Sequence, residues 1–164
     1  MTWLDFAFAA ALVAILAWIA IVDFRDLIIP DALNIALAAV GLAYAALDQR
    51  AFPAGQVAFA LLTLAGFWLV RAGFQRFRGV AGLGLGDVKM AGAAAFWFSP
   101  WNAPLFLFAT AFSALVFVAS KSLTMRRVDK HSRIPFGPFL GFGLFVTWAL
   151  ERSAWQTFIP DRGF

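Results

Sequence analysis

The stretch FAFAAALVAILAWIAIVDFRD, residues 6–26, decides the class of fold. No charged residue interrupts it between Phe6 and Val22, and a helix needs about 20 mostly apolar residues to cross a hydrocarbon core about 30 Å thick. It does not have the pattern of a secretory signal, because no Lys or Arg precedes Arg25 and no clear small-residue cleavage site follows the apolar run. The sequence therefore predicts a membrane-spanning helix that stays in the mature chain and whose apolar run ends at Asp23.

The composition of the 164-residue chain extends this prediction to the whole protein. Hydrophobic residues make up 63% and charged residues 13%, against about 45–50% and about 25% in soluble domains. These values exclude a disordered chain and a nucleic-acid-binding domain, since both are mostly solvated. With no cysteine and a single histidine, His131, we expect no disulfide, no metal site and no cofactor.

Six apolar runs predict an all-α integral membrane protein with about six transmembrane helices, folded as a single membrane-embedded domain over residues 1–164. The fourth run is short, which is typical of a helix that begins at membrane depth. The glycine-rich stretch before it, Gly79 to Gly86, then needs shielding by protein or by a water-filled cavity. The runs extend approximately from Leu4 to Val22, Ala32 to Leu47, Gln56 to Val70, Val88 to Phe98, Pro104 to Ser120 and Gly137 to Leu150.

The basic residues predict the orientation of the chain. Of the 13 Lys and Arg residues, ten fall in the first, third and fifth connections: Arg25, Arg71, Arg76, Arg78, Lys89, Lys121, Arg126, Arg127, Lys130 and Arg133. Because cytoplasmic loops are enriched in Lys and Arg, we expect these connections to face the cytoplasm and both termini to lie outside. We expect the positive charge to contact membrane lipid with anionic head groups, with no nucleic acid as partner.

Two carboxylates near membrane depth are the first candidates for function, because ionisable groups are costly there. Asp23 ends the first apolar run and Asp87 opens the fourth, in GLGLGDVKMAG, residues 82–92. Asp23 lies at a helix C-terminus, whereas Asp87 lies at a helix N-terminus, which favours ionisation of Asp87. We therefore expect the two pKa values to differ. Most of the difference should come from close approach of the two carboxyl groups. Such a pair fits general acid/base hydrolysis of a peptide. On position alone, each could equally be an interfacial or capping residue.

Four glycines lead up to Asp87 at positions Gly79, Gly82, Gly84 and Gly86. They clear side chains from the approach to Asp87, so that a substrate backbone can come close. A flexible loop and close helix packing are the alternatives.

Three segments occur in order: Asp23 with Ile29-Pro30-Asp31 and Asn34, then Gly84-Leu85-Gly86-Asp87-Val88-Lys89-Met90, then Ile134-Pro135-Phe136-Gly137-Pro138-Phe139. In this order they resemble the type IV prepilin peptidases, membrane aspartyl proteases of the GxGD type. The resemblance implies an aspartic endopeptidase with Asp23 and Asp87 as catalytic pair and with Gly84 and Gly86 as motif glycines. It also implies a multi-pass enzyme of the bacterial inner membrane that acts at the cytoplasmic face. Its substrates would be type IV prepilins, pseudopilins or related precursors, with a short basic leader and an apolar helix.

The chain departs from many bacterial members of this family, which carry a cytoplasmic domain with paired CxxC motifs that N-methylates the mature pilin. This sequence begins almost at the helix of Asp23 and has no cysteine. We therefore expect peptidase activity without N-methyltransferase activity. The short form is similar to the peptidases of tight-adherence pili and archaeal flagella, whereas the Phe136 to Phe139 segment is more similar to the long enzymes.

Several residues near Asp23 and Asp87 have more than one possible role. Asp26 lies three residues after Asp23 and is the main alternative for the first carboxylate. Asp31 precedes the second predicted helix, where a capping role is favoured over catalysis. Lys89 could bind a substrate carboxylate, hold the ionised Asp87 or extend to the membrane interface.

The segment Pro135, Phe136, Gly137 and Pro138 could pair with the substrate backbone, as the resemblance implies, or form a rigid entry into the sixth helix. His131, among charged residues, is interpreted as part of a solvated loop.

Two other functions are considered from the sequence. A non-enzymatic membrane subunit or an ion- or proton-coupled transporter could also use intramembrane Asp residues, although no inverted repeat is visible. A Ser/Lys hydrolase is disfavoured, because no serine accompanies Lys89.

Overall fold

The computed structural model describes residues 3–47, 53–79, 82–124 and 134–153, and these ranges are helical apart from short connections. The all-α prediction with six main helices is confirmed. The helices are α1 (Trp3–Asp26), α2 (Asp31–Leu47), α3 (Pro53–Arg78), α4 (Leu85–Ala94), α5 (Ala103–Thr124) and α6 (Gly137–Arg152), with a 3-10 helix over Pro100–Asn102 before α5.

Three of the described helical segments are long and apolar enough to cross a membrane, namely Trp3–Asp26, Ala54–Arg78 and Pro100–Leu123. Only 6% of the most apolar window of α3 is buried within the protein, so lipid must cover the rest of this apolar surface. α4 has 10 residues, about half of what a membrane span requires, as predicted for the fourth helix. The chain is a membrane protein.

The connections explain where the helices stop. α1 stops just before Leu27, which has a positive φ of 55° and whose N–H donates to the Asp23 carbonyl oxygen at 3.0 Å. α3 continues two turns beyond the predicted span and stops just before Gly79, where φ is 71°. α4 begins at Leu85, three residues before the predicted run, because Gly84 is extended and Asp87 caps the helix from inside its first turn.

α4 lies at the centre of the helix packing and contacts α2, α3 and α6. Small side chains allow this close approach: a Cβ on Gly92 would lie 2.9 Å from the Leu64 side chain of α3. Met90, Ala91 and Ala94 are fully buried. α1 packs on α2 and α6, and α5 packs on α6. The core therefore surrounds the helix that carries Asp87.

The end of the bundle opposite Asp87 is held by polar contacts. Gln56 donates from Nε2 to the carbonyl oxygens of Ala95 at 2.6 Å and Phe98 at 2.7 Å, which fixes the turn that follows α4. The Arg152 guanidinium pairs with Asp5 at 3.3 Å, so the start of α1 and the end of α6 meet at this end. Which side of the membrane this end faces stays a prediction.

Candidate active site

Asp23 lies in the last turn of α1 and is 4% exposed. Its Oδ2 accepts a hydrogen bond from the Gly137 backbone N–H at 2.8 Å. Gly137 is the first residue of α6, and a Cβ there would lie 2.9 Å from the same Oδ2 atom. The packing of α6 against α1 therefore positions Asp23, and it requires a residue without a side chain at 137.

Asp87 lies in the first turn of α4, on the other side of the site. Its Oδ2 accepts a hydrogen bond from the Gly84 N–H at 3.1 Å, and a Cβ on Gly84 would lie 2.7 Å from this oxygen. A Cβ on Gly86 would lie 3.1 Å from the Ile29 side chain. The lack of a side chain at Gly84 thus makes room for the Asp87 carboxylate, and the lack of one at Gly86 makes room for Ile29 in the segment after α1.

Asp23 and Asp87 line the same cavity, which has a volume of about 250 Å³. They approach it from α1 and α4, which are far apart in the sequence. This volume is below the roughly 300–1,000 Å³ typical of pockets for drug-sized ligands. The remaining lining residues are Leu27, Ile28, Ile29, Gly84, Leu85 and Gly86.

The environment of Asp87 favours its neutral form. Burial raises the pKa of Asp87 from 3.8 to about 6, the nearby negative charge of Asp23 adds to the increase, and the Gly84 N–H acts in the opposite direction. The dipole of α4 was expected to favour ionisation of Asp87. Such dipole effects amount to about 0.3–1 kcal/mol, whereas a shift of one pKa unit corresponds to about 1.36 kcal/mol. Two interacting carboxyl groups titrate as a pair, and the raised pKa of Asp87 extends the pH range in which this residue holds its proton.

Two side chains that the sequence did not point to as functional hold the start of α4, one through the preceding loop and one through its first turn. Arg71, on α3, donates from Nη1 to the Leu83 carbonyl oxygen. Asn34, on α2, donates from Nδ2 to the Gly86 carbonyl oxygen at 3.4 Å and is 5% exposed. The sequence indicates Arg71 only as one of the basic residues that predict the orientation in the membrane. It indicates Asn34 only as part of the first segment that resembles the prepilin peptidases. Their contacts with the backbone carbonyl oxygens of Leu83 and Gly86 are visible only in the fold.

Lys89 lies next to the cavity but not in its lining. Its Nζ contacts both carboxylate oxygens of Asp31, at 2.7 and 2.8 Å, and this pair is largely exposed, with side-chain exposures of 40% and 64%. Lys89 thus pairs with Asp31, in the first turn of α2, and not with Asp87. Asp26, the alternative to Asp23, is exposed and does not line the cavity.

The segment from Pro135 to Pro138 meets the site through one residue. Gly137 contacts Asp23, whereas Phe136 packs against the hydrophobic core and Pro138 lies in the first turn of α6. This geometry is that of a rigid entry into α6, and pairing with a substrate backbone stays a prediction. His131 lies outside the described residues. Among those described, no three His, Asp or Glu side chains cluster as metal ligands.

Comparison with known proteins identifies the family of the chain. The sequence profile of the Type IV leader peptidase family matches residues 10–119, which is more than half of the chain. Leader peptidase HopD of Salmonella typhimurium is 30% identical over 152 residues, which cover 86% of this chain and 87% of that protein. The chain therefore belongs to the type IV leader peptidase family.

Other curated relatives are longer. The prepilin leader peptidase/N-methyltransferase of Dichelobacter nodosus is 25% identical over 155 residues, 94% of this chain and 52% of that protein. Its namesake in Escherichia coli (strain K12) is 28% identical over 145 residues, 85% of this chain and 60% of that protein. The chain thus spans between about half and three fifths of these relatives. No solved structure matches the chain.

Proposed function

We propose that the chain is an aspartic endopeptidase that removes the leader peptide from type IV prepilins, pseudopilins or related precursors. The observation that carries the proposal is that Asp23 and Asp87, held by different helices, line one cavity. Family membership supports the substrate class, since the relatives are named for leader and prepilin cleavage.

The two carboxyl groups divide the work of hydrolysis. The ionised member takes a proton from a water molecule, whose oxygen attacks the scissile carbonyl carbon and gives a tetrahedral intermediate. The protonated member donates a hydrogen bond to the carbonyl oxygen, and a proton then passes to the leaving nitrogen as the C–N bond breaks. The raised pKa of Asp87 supports a pair that holds one proton up to about pH 6.

The position of the cavity supports a finer proposal about the substrate and the membrane. The cavity lies at the end of the bundle where α3 finishes with Arg76 and Arg78. Basic residues are retained on the cytoplasmic side, so we place this end at the cytoplasmic face of the inner membrane, with both termini outside. A precursor would present its basic leader there and keep its apolar helix in the bilayer. Residues 1–164 would act as one peptidase domain.

The test is processing of a precursor in cells that lack their own prepilin peptidase. A candidate prepilin is co-expressed with the wild-type protein, Asp23→Asn or Asp87→Asn, and the pilin is measured by intact-mass analysis. We expect a shortened pilin with the wild type alone; its mass also shows whether a methyl group was added.

Asp26→Asn is the matched control, because Asp26 is an exposed acid beside the site and should be dispensable. Normal processing by either site variant would remove the aspartate pair from the mechanism. Two different precursors left whole by well-expressed wild type would overturn the proposed activity.

A further inference from the structure

Leu27 has a backbone conformation that leucine rarely adopts. With φ of 55° it is the one non-glycine residue with positive φ among those described. It closes α1 through the hydrogen bond from its N–H to the Asp23 carbonyl oxygen. This is the left-handed position that follows many helices, and Gly or Asn normally occupies it, because a Cβ is strained there. The turn itself gives no reason for a branched apolar side chain at this position.

The side chain of Leu27 lies where a substrate would bind. It lines the cavity that contains Asp23 and Asp87, and 44% of the residue is exposed. Ile28 and Leu85 line the same cavity and are 65% and 48% exposed. The two carboxylates are thus bordered by an open apolar wall. Strained residues held by their surroundings concentrate at sites of function.

We propose that Leu27 determines specificity by contacting the apolar side chain of a substrate residue that flanks the scissile bond. The inference rests on the proposed peptidase function. After the turn at Leu27 the chain continues along the cavity, since Ile28 and Ile29 line it too, and Leu27 contributes an apolar residue to the lining that contains Asp23. A purely structural role makes the opposite prediction, since Gly or Asn fits the turn better than Leu does.

Leu27→Gly and Leu27→Asn separate the two roles. Both relieve the strained backbone, so the purified variants should unfold at the wild-type temperature or above it, whereas Ile28→Gly, at a position without positive φ, should unfold at a lower temperature. Both Leu27 variants should raise KM for a precursor roughly tenfold or more, as expected when a pocket loses an apolar contact, with a smaller change in kcat. Wild-type KM together with a higher unfolding temperature would assign Leu27 to the turn alone and overturn the proposal.

A substrate series identifies the contact itself. The precursor is prepared with alanine at the residue before or after the cleaved bond, and kcat/KM is compared for the wild type and Leu27→Gly. At one of these positions the wild type should discriminate against alanine at least several-fold more than the variant does, because the variant has already lost the partner. Equal discrimination at both positions would overturn the contact while leaving the peptidase intact. If the wild type cuts no precursor, the proposed function fails, and the inference about Leu27 fails with it.

Discussion

Replacement of Asp87 by Asn should abolish cleavage and yet stabilise the protein above pH 6. The folded protein holds the Asp87 proton up to about pH 6, whereas the unfolded chain releases it near the ordinary pKa of 3.8. Ionisation of Asp87 therefore opposes folding progressively as the pH rises between these two values, and the penalty is constant above pH 6. Asn cannot ionise and can still accept the hydrogen bond from Gly84, so the penalty disappears in the variant.

The pKa difference sets the size of the effect. A change from 3.8 to about 6 corresponds to at most about 3 kcal/mol at 1.36 kcal/mol per pKa unit. Because Asp87 is only partly buried, solvent screening reduces this to about 1–2 kcal/mol. In a chain of this size, 1 kcal/mol shifts the unfolding temperature by about 2–4 °C. Asp87→Asn should therefore unfold about 3–6 °C above the wild type at pH 7.5 and at nearly the same temperature at pH 3.5.

The assay is thermal unfolding in detergent micelles at both pH values, followed by circular dichroism. Asp26→Asn is the control for simple removal of a charge near the site, because Asp26 is exposed. The gain from Asp87→Asn should shrink in an Asp23→Asn background, since the charge of Asp23 contributes to the raised pKa of Asp87. A variant no more stable than wild type at pH 7.5, or equally stabilised at both pH values, would refute the reasoning.

Three further variants test how the site is held together, each by the kcat of precursor cleavage. Gly137→Ala should lower kcat about 100-fold, because its Cβ would lie 2.9 Å from Asp23 Oδ2 and small displacements of catalytic groups have effects of this size. Its control, Gly141→Ala, should retain activity, because that Cβ would lie 3.6 Å from its nearest neighbour. Arg71→Met should lower kcat about tenfold by releasing the Leu83 carbonyl oxygen, whereas Arg76→Met, on an exposed side chain of the same helix, should not. Asn34→Leu should lower kcat with a change of less than about 1 kcal/mol in the free energy of unfolding, because Asn34 Oδ1 finds no partner among the described residues. Equal kcat for a variant and its control, or for Asn34→Leu and wild type, would contradict the assigned contact.

The apolar runs predicted the existence and order of the helices, because lipid solvation acts on each segment separately. The ends of the helices were less predictable. α4 begins three residues earlier than its apolar run because Gly84 and Asp87 form the cap, and α3 continues two turns past the charged residue Arg71. Side-chain contacts of this kind depend on neighbours that a hydropathy pattern does not contain.

The aspartates and their motif glycines could be proposed from the sequence, since a carboxyl group is conspicuous in an apolar chain. The roles of Arg71 and Asn34 could not, because each donates to a backbone carbonyl oxygen, and backbone acceptors carry no sequence signal. Lys89 shows the same limit: its sequence position left a substrate carboxylate, Asp87 and the membrane interface open as partners, and its Nζ contacts Asp31 at 2.7 Å.

The sequence by itself determined that this chain is a helical membrane protein with a short fourth helix and two candidate catalytic carboxylates, because composition and spacing act locally along the chain. Only the tertiary structure decided that these carboxylates share a cavity, that Gly137 positions Asp23, and that a strained Leu27 lines the same space. The physical reason is that these contacts join α1, α4 and α6, and their geometry follows from how closely glycines and small side chains allow the helices to pack.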